Sequence, residues 1–242
     1  MDDVELSLTS PAGSARRRRR RSLPPGMPPK PETPDLWHYE AHARAAGYAV
    51  VVGVDEAGRG PLAGPVTASA VILPAGFEID GINDSKKLSE AQRERAFERI
   101  QSEALGIGIG MSEPDEIDSI NILKASWAAM RRAILDLAPE PTPDLVLVDG
   151  LAVTGLPCPV SWPIVGGDGA SASIAAASIV AKVTRDRLMV RYDSLYPEYG
   201  FAQHKGYGAA KHLEALRRLG PCPIHRRSFA PVANCLGGLF DE

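Results

Sequence analysis

Cysteine is scarce in this sequence: Cys158, Cys222 and Cys235 are the three in 242 residues, an odd number with no C-x-x-C pair. That excludes a disulfide framework and a zinc finger, and it sets the expectation of a reducing, cytoplasmic setting. Long apolar runs are missing too. No stretch of about 18 uncharged apolar residues occurs, and the N-terminus lacks the apolar core of a secretory leader, so a soluble, unexported protein with no membrane partner is expected. Charge of one sign is not in excess either. With 27 Lys and Arg against 30 Asp and Glu the net charge is −3, so any argument for a nucleic-acid partner must rest on local clusters. Neither a G-x-S-x-G elbow nor a Walker sequence is present, which argues against an acyl hydrolase or a nucleotide-triphosphate motor.

What is present is enough apolar material, 44% of the chain, for one sizeable core. Residues 1–46 read differently from the rest. Prolines alternate there with polar residues around the run Arg16 to Arg21, a composition that cannot build a core and suits a disordered extension. The run is either a solvated tail or a non-specific phosphate tether. Removing residues 1 to 42 is expected to leave the catalytic domain, residues 47–242, intact, with Trp37 to Ala46 as a short helix leading in.

From Tyr48 an apolar, β-rich run ends in Asp55 and Glu56, which reads as a buried strand with acids at its C-terminal end. Pro65 to Leu73, Leu105 to Met111, Leu145 to Asp149 and Val160 to Val165 are further strands. A helix starts near Ser89. A single long helix is expected from Ser112, as N-cap, through Leu137, because Ile117, Ile120, Trp127, Met130, Ile134 and Leu137 recur at helical spacing. Ala170 to Tyr192 is an Ala- and Ser-rich helix, and a last helix runs from Gly208 to Leu219, stopped by Gly220-Pro221. Three strands in succession followed by strands alternating with helices predict an α/β fold: a mixed five-stranded sheet with helices on both faces, plus a C-terminal helical segment.

Asp55, Glu56, Asp149 and Asp168 all sit where strands or strand-like segments end, and in an open α/β sheet the carboxyl ends of strands are where ligands bind. If the strands bearing Asp55 and Asp149 are parallel neighbours, their carboxylates share one small volume. Hard oxygen donors favour Mg²⁺ or Mn²⁺ over zinc, and two such ions suit in-line phosphoryl transfer. Each acid taken singly reads better as a turn residue or helix cap than as a ligand.

The wording around these acids is more specific. Asp55-Glu56-Ala57-Gly58-Arg59-Gly60-Pro61 resembles the D-E-x-G-R-G-P signature of ribonuclease HII. Matching blocks follow in that family's order: Asn83 to Ser89, Glu113 to Asp118, Val148-Asp149-Gly150, Ala176 to Asp186, Tyr199 to Tyr207 and His225 to Phe229. The resemblance covers residues 48 to 235. It implies a ribonuclease H-like fold and a metal-dependent endonuclease that hydrolyses the RNA strand of RNA/DNA hybrids. It also implies incision 5′ of single ribonucleotides embedded in duplex DNA, leaving 3′-hydroxyl and 5′-phosphate ends.

Carried over by position, the resemblance implies that Asp55, Glu56, Asp149 and Asp168 are catalytic and bind two Mg²⁺ or Mn²⁺ ions. Gly166 stands before Gly167-Asp168 where the family commonly has lysine, and Ala209 follows Gly208 where it often has threonine. The backbone of Gly58, Arg59 and Gly60 would contact the ribose 2′-OH, and Tyr207 would pack on the sugar of the next nucleotide. Ser178 and Lys182, four apart and so on one helix face, would grip a backbone phosphate. Asn83, Lys86 and Lys87 are further phosphate candidates, with Lys205, Arg226 and Arg227. Asp186, also in a matched block, competes with Asp168 as the fourth acid, but its place inside a helix beside Arg185 and Arg187 favours a structural ion pair. His204 and His225 lack partners at ligand spacing and receive no metal. The expected partner is a hybrid or ribonucleotide-containing duplex, bound by a monomer. The alternatives are a ribonuclease HI-like nuclease needing several ribonucleotides and a non-catalytic hybrid-binding protein.

Overall fold

A computed structural model describes residues 23–79, 81–82, 88–137 and 142–237. Strand β1 (Val51–Ala57) lies at the centre of a five-stranded sheet of order β3-β2-β1-β4-β5, with β2 Val66–Ile72, β3 Gly106–Ser112, β4 Leu145–Asp149 and β5 Ser161–Ile164. The first three strands pair antiparallel, whereas β1–β4 and β4–β5 are parallel. The expected mixed sheet is thus observed.

Alternation along the strands sends side chains to two separate cores. Val52, Val54, Val146 and Val148 pack with Ala129, Met130 and Ala133 of α4 (Ile122–Asp136). On the opposite face lies α5 (Ala172–Leu195), whose Ala172, Ala175, Ala176, Ala177, Ile179 and Val180 are buried beside α2 (Glu90–Glu103). The small residues of α5 let it approach the sheet closely. A Cβ on Gly53 would stand 2.1 Å from the Ser173 carbonyl carbon, so glycine is the one residue that lets helix and strand backbones touch here. Ser89 caps α2 in a reciprocal capping box with Gln92, as the sequence suggests.

Two expectations change. The long helix from Ser112 is broken into α3 (Pro114–Ile120) and α4 at Asn121, which adopts φ +70°. Its side-chain carbonyl accepts from Leu123 N–H at 3.0 Å and Lys124 N–H at 3.1 Å, capping the second helix. Ser112 closes β3 instead of capping, and its hydroxyl donates to the Ala125 carbonyl at 3.0 Å. Nor is α7 (Ala210–Leu219) the last helix: after the four-residue α6 (Phe201–His204), α7 is followed by α8 (Ala230–Gly237).

Packing also begins before the boundary expected at residue 46. Tyr39 and Ala43 of α1 (His38–Ala45) enter the core with Trp162 and Ile174. Glu40, 1% exposed, accepts from the Ser171 hydroxyl at 2.6 Å and from the Ser173 N–H and hydroxyl at 2.9 and 2.7 Å. The Trp162 indole donates to the Pro25 carbonyl. The Arg16 to Arg21 run lies outside the described residues. Among the described residues no helix is long and apolar enough to cross a membrane.

Candidate active site

The parallel register pairs Val54 with Val148, so the next residues, Asp55 and Asp149, lie side by side at the carboxyl end of the two parallel strands. Asp55 follows Gly53 on the face toward α5. Glu56, one residue on, begins on the opposite side, so the two adjacent acids flank the strand end. Asp55 is 4% exposed. Burial, with the charges of Glu56 and Asp149 beside it, pushes its carboxyl well above the usual carboxylate range, while the Ser178 hydroxyl and the Glu56 N–H (2.7 Å) pull it partway back. Burial also raises Glu56, opposed by Arg59, whose guanidinium lies 3.0 Å away. Asp149 Oδ1 accepts from the Gly167 N–H at 2.7 Å, which ties β4 to the 3₁₀ turn carrying the buried Asp168.

A cavity of about 310 Å³ is lined by Asp55, Glu56, Gly58, Arg59, Gly60, Asp149, Ser178, Lys182 and Tyr207. The structure therefore gathers most of the predicted site in one place. Asp168 is not in the lining and sits behind Gly167. Asn83, Lys86 and Lys87 lie outside the described residues. A second cleft of about 370 Å³, walled by α4 and by Leu151 to Val153, shares Glu56, Arg59 and Asp149 with the first.

Ser178 and Lys182 do share a helix face, and both are engaged. Ser178 bonds Asp55, and Lys182 Nζ meets Asp186 Oδ1 at 2.7 Å. The ion pair expected for Asp186 is thus made with Lys182 and not with the flanking arginines. Tyr207, 45% exposed, presents its ring 3.6 Å from where a Cβ on Gly60 would stand.

Arg226, expected to contact phosphate, and Arg185, expected to pair with Asp186, are instead both bound to main-chain carbonyls. Arg226 is 0% exposed and Arg185 1%. Arg226 donates to the carbonyls of Gly58 (2.6 Å), Arg59 (2.9 Å) and Gly64 (2.9 Å). Arg185 donates to those of Pro65 (2.9 Å), Ala63 (3.0 Å) and Lys205 (3.0 Å). Burial lowers the guanidinium of Arg185 to about 10 and that of Arg226 to about 9, so both remain charged at neutral pH. Gly58 takes φ +90°, and a Cβ there would fall 2.0 Å from Arg185 Nε; any other residue would displace the arginine beneath the turn. Spacing held a signal for Arg185, because it falls four residues after the buried Ala181 and four before the buried Met189.

Behind Tyr207 stands a buried imidazole chain. His212 Nδ1 donates to the Tyr207 carbonyl at 2.8 Å, leaving its Nε2 to accept from His225 Nε2–H at 3.1 Å. His225 Nδ1 in turn accepts from the Cys222 N–H at 3.0 Å. Burial depresses both imidazoles, His225 to about 4, and the protonation pattern is that of two neutral rings.

A family model described as Ribonuclease HII matches residues 52–232. The chain is 55% identical to a ribonuclease HII of Geobacter sulfurreducens over 204 residues, covering 84% of this chain and 93% of that protein. It is 54% identical to one from Listeria monocytogenes, covering 82% and 74%. Among solved structures it resembles the ribonuclease H2 of Pyrococcus horikoshii, with a TM-score of 0.65 and 25% identity over 80% of this chain and all (100%) of that one. A Bst ribonuclease HIII crystallised with Mn²⁺ shares the fold, with a TM-score of 0.65 and 17% identity over 83% of this chain and 73% of that one.

Proposed function

This chain belongs to the ribonuclease HII family and is a ribonuclease H-type endonuclease; from that premise we propose that it cleaves the RNA strand of RNA/DNA hybrids and incises 5′ of single ribonucleotides in duplex DNA, leaving 3′-hydroxyl and 5′-phosphate ends. One observation supports this reading above the others. Carboxylates, a glycine turn and a half-exposed tyrosine line the same cavity, so a group that reads the sugar and a group that works on the phosphate stand within one nucleotide's reach.

Asp55, Glu56 and Asp149, joined by Asp168 from the 3₁₀ turn that Asp149 holds, would bind a divalent cation, Mg²⁺ or Mn²⁺, with room in the reaction for two. The donor chemistry fits: hard carboxylate oxygens, crowded enough to push Asp55 upward, are what a cation relieves. Among the described residues no three Asp, Glu, His or Cys side chains form a ready-made cage, so the fit is one of donor type and charge. When bound, the cation supplies electrostatic stabilisation of the charge that builds on the phosphoryl oxygens. The chain's own groups do the rest. Ser178 holds Asp55 in place, Arg59 steadies Glu56, and Lys182 stands at the wall as a cation that can exchange Asp186 for a phosphate oxygen. Tyr207 offers an aromatic face to a sugar.

The test is incubation of an end-labelled duplex carrying one ribonucleotide, with and without Mg²⁺, with the product ends mapped. A Mg²⁺-dependent nick 5′ of the ribonucleotide is expected, and Asp149→Asn should bind the duplex yet lose nearly all cleavage. Cutting confined to runs of several ribonucleotides would favour the ribonuclease HI-like alternative, and binding without cutting would favour the hybrid-binding one.

A further inference from the structure

We propose that Arg226, backed by Arg185, is a positioning residue for ribose selectivity, acting by turning two backbone N–H groups of the Gly58–Gly60 turn into the cavity. This rests on the reading that the turn meets the sugar 2′-OH, and it says what makes the turn able to do so.

The geometry begins with the fork. Arg226 spends one N–H on the Gly58 carbonyl and another on the Arg59 carbonyl. In a trans peptide the C=O and the following N–H point in opposite directions. With the Gly58 and Arg59 carbonyls drawn toward Arg226, the N–H groups of Arg59 and Gly60 point away from it. These residues line the cavity, and among the described residues neither N–H has an acceptor. A 2′-OH oxygen has lone pairs to fill that vacancy, and a deoxyribose has none at that position.

Two further observations separate this from ordinary packing. Neither arginine lies within ion-pair distance of a carboxylate among the described residues; their hydrogen bonds go to main-chain carbonyls, and the Arg226 guanidinium also lies 5.1 Å from the centre of the Phe229 ring. A charge placed on a carbonyl polarises the whole peptide group and makes its N–H a better donor. The second observation is the fit of the layers: Arg185 fills the space where a Gly58 Cβ would lie, so the turn is pressed between that guanidinium and the cavity. Lysine in place of Arg226 would keep the charge and lose the planar grip on two consecutive carbonyls.

The experiment measures the dissociation constants of two duplexes of one sequence, all-DNA and carrying a single ribonucleotide, in an Asp149→Asn background that does not cut. Arg226→Lys should reduce the preference for the ribonucleotide duplex by roughly tenfold, the worth of one or two hydrogen bonds, with affinity for the all-DNA duplex held within about twofold of the parent. A merely structural role would weaken both duplexes alike, and that outcome, or an unchanged preference, overturns the proposal. If Arg226→Lys does not fold, the α-hydroxy analogue of glycine at position 60 removes one N–H and leaves the arginine in place. The same loss of preference is then expected, and an unchanged ratio overturns the idea. If the Asp149→Asn parent itself shows no preference for the ribonucleotide, it is the reading of the site as a ribose sensor that fails.

Discussion

Tyr207 leaves nearly half its surface open at the rim of an otherwise walled cavity, 45% against 4% for Asp55 a few residues of space away. An aromatic ring so placed, beside Gly60 at the cavity wall, has an open surface to offer a ligand. Tyr207→Ala should lower kcat/KM on a single-ribonucleotide duplex by roughly a hundredfold, the cost of a misplaced scissile phosphate, and Tyr207→Phe should fall between the two; equal turnover by Ala and wild type would remove the ring from substrate positioning. The imidazoles behind it carry a pH dependence. His225 titrates at about 4 in the fold against 6.5 when free, so in that window the unfolded chain binds more protons than the folded one. Stability is therefore complete above about 6.5 and declines as pH falls toward 4. His225→Gln cannot take up that proton, and its urea midpoint should decline less steeply over the same window; parallel slopes would show the histidine to be silent. At this scale Asp55, Glu56 and Asp149 stood out because they close apolar strands, whereas Asp168, on the 3₁₀ turn after β5, stood out only through its match to the family's pattern. Arg226 escaped, because a charged residue is read as solvated unless its partners are visible; the burial of Arg185 could be read from its spacing to Ala181 and Met189, but its carbonyl partners leave no trace in side-chain spacing.

The elements themselves were legible wherever side-chain periodicity is continuous. The five strands, α2 with its Ser89 cap, and α5 with its run of small residues follow their patterns to within a few residues. Asn121 shows where periodicity is blind. Ile117 of α3 and Met130 and Ile134 of α4 enter one core on one face of the sheet, so the apolar stripe runs across the break as if the helix were unbroken. A single positive φ leaves no mark in such a stripe. Asn121 combines φ +70° with ψ 161°, a region that glycine alone enters freely, and its side chain caps α4. Asn121→Ala should therefore cost about 1 kcal/mol through the lost cap, whereas Asn121→Gly should be at least as stable as wild type, because glycine is a fair N-cap and relieves the strained backbone. Urea denaturation of the three proteins checks the order; a Gly variant less stable than Ala would mean that the junction carries no strain.

Over the whole molecule, composition placed the edge of the folded unit too late. The prolines of the N-terminal segment suggest a tail, yet Pro25 accepts from Trp162 and Glu40 receives three hydrogen bonds from the start of α5. Deleting residues 1 to 22 should leave the unfolding midpoint and Mg²⁺-dependent cleavage unchanged, with at most weaker binding at low salt as the arginines are lost. A cut at residue 42, harmless on composition alone, removes Tyr39 and Glu40 and should cost on the order of several kcal/mol; equal midpoints for the two truncations would show α1 to be dispensable. The bonds from Arg226 to Gly58 and Gly64 join residues 168 and 162 apart in the chain. A ribosome delivers residues in order, so the sheet and its acids are synthesised long before the side chain that sets the turn between them. Until residue 226 has left the exit tunnel, the nascent chain holds its carboxylates beside a turn whose carbonyls nothing yet grips, so on the role proposed for Arg226 sugar selectivity arrives only after all five strands have been made.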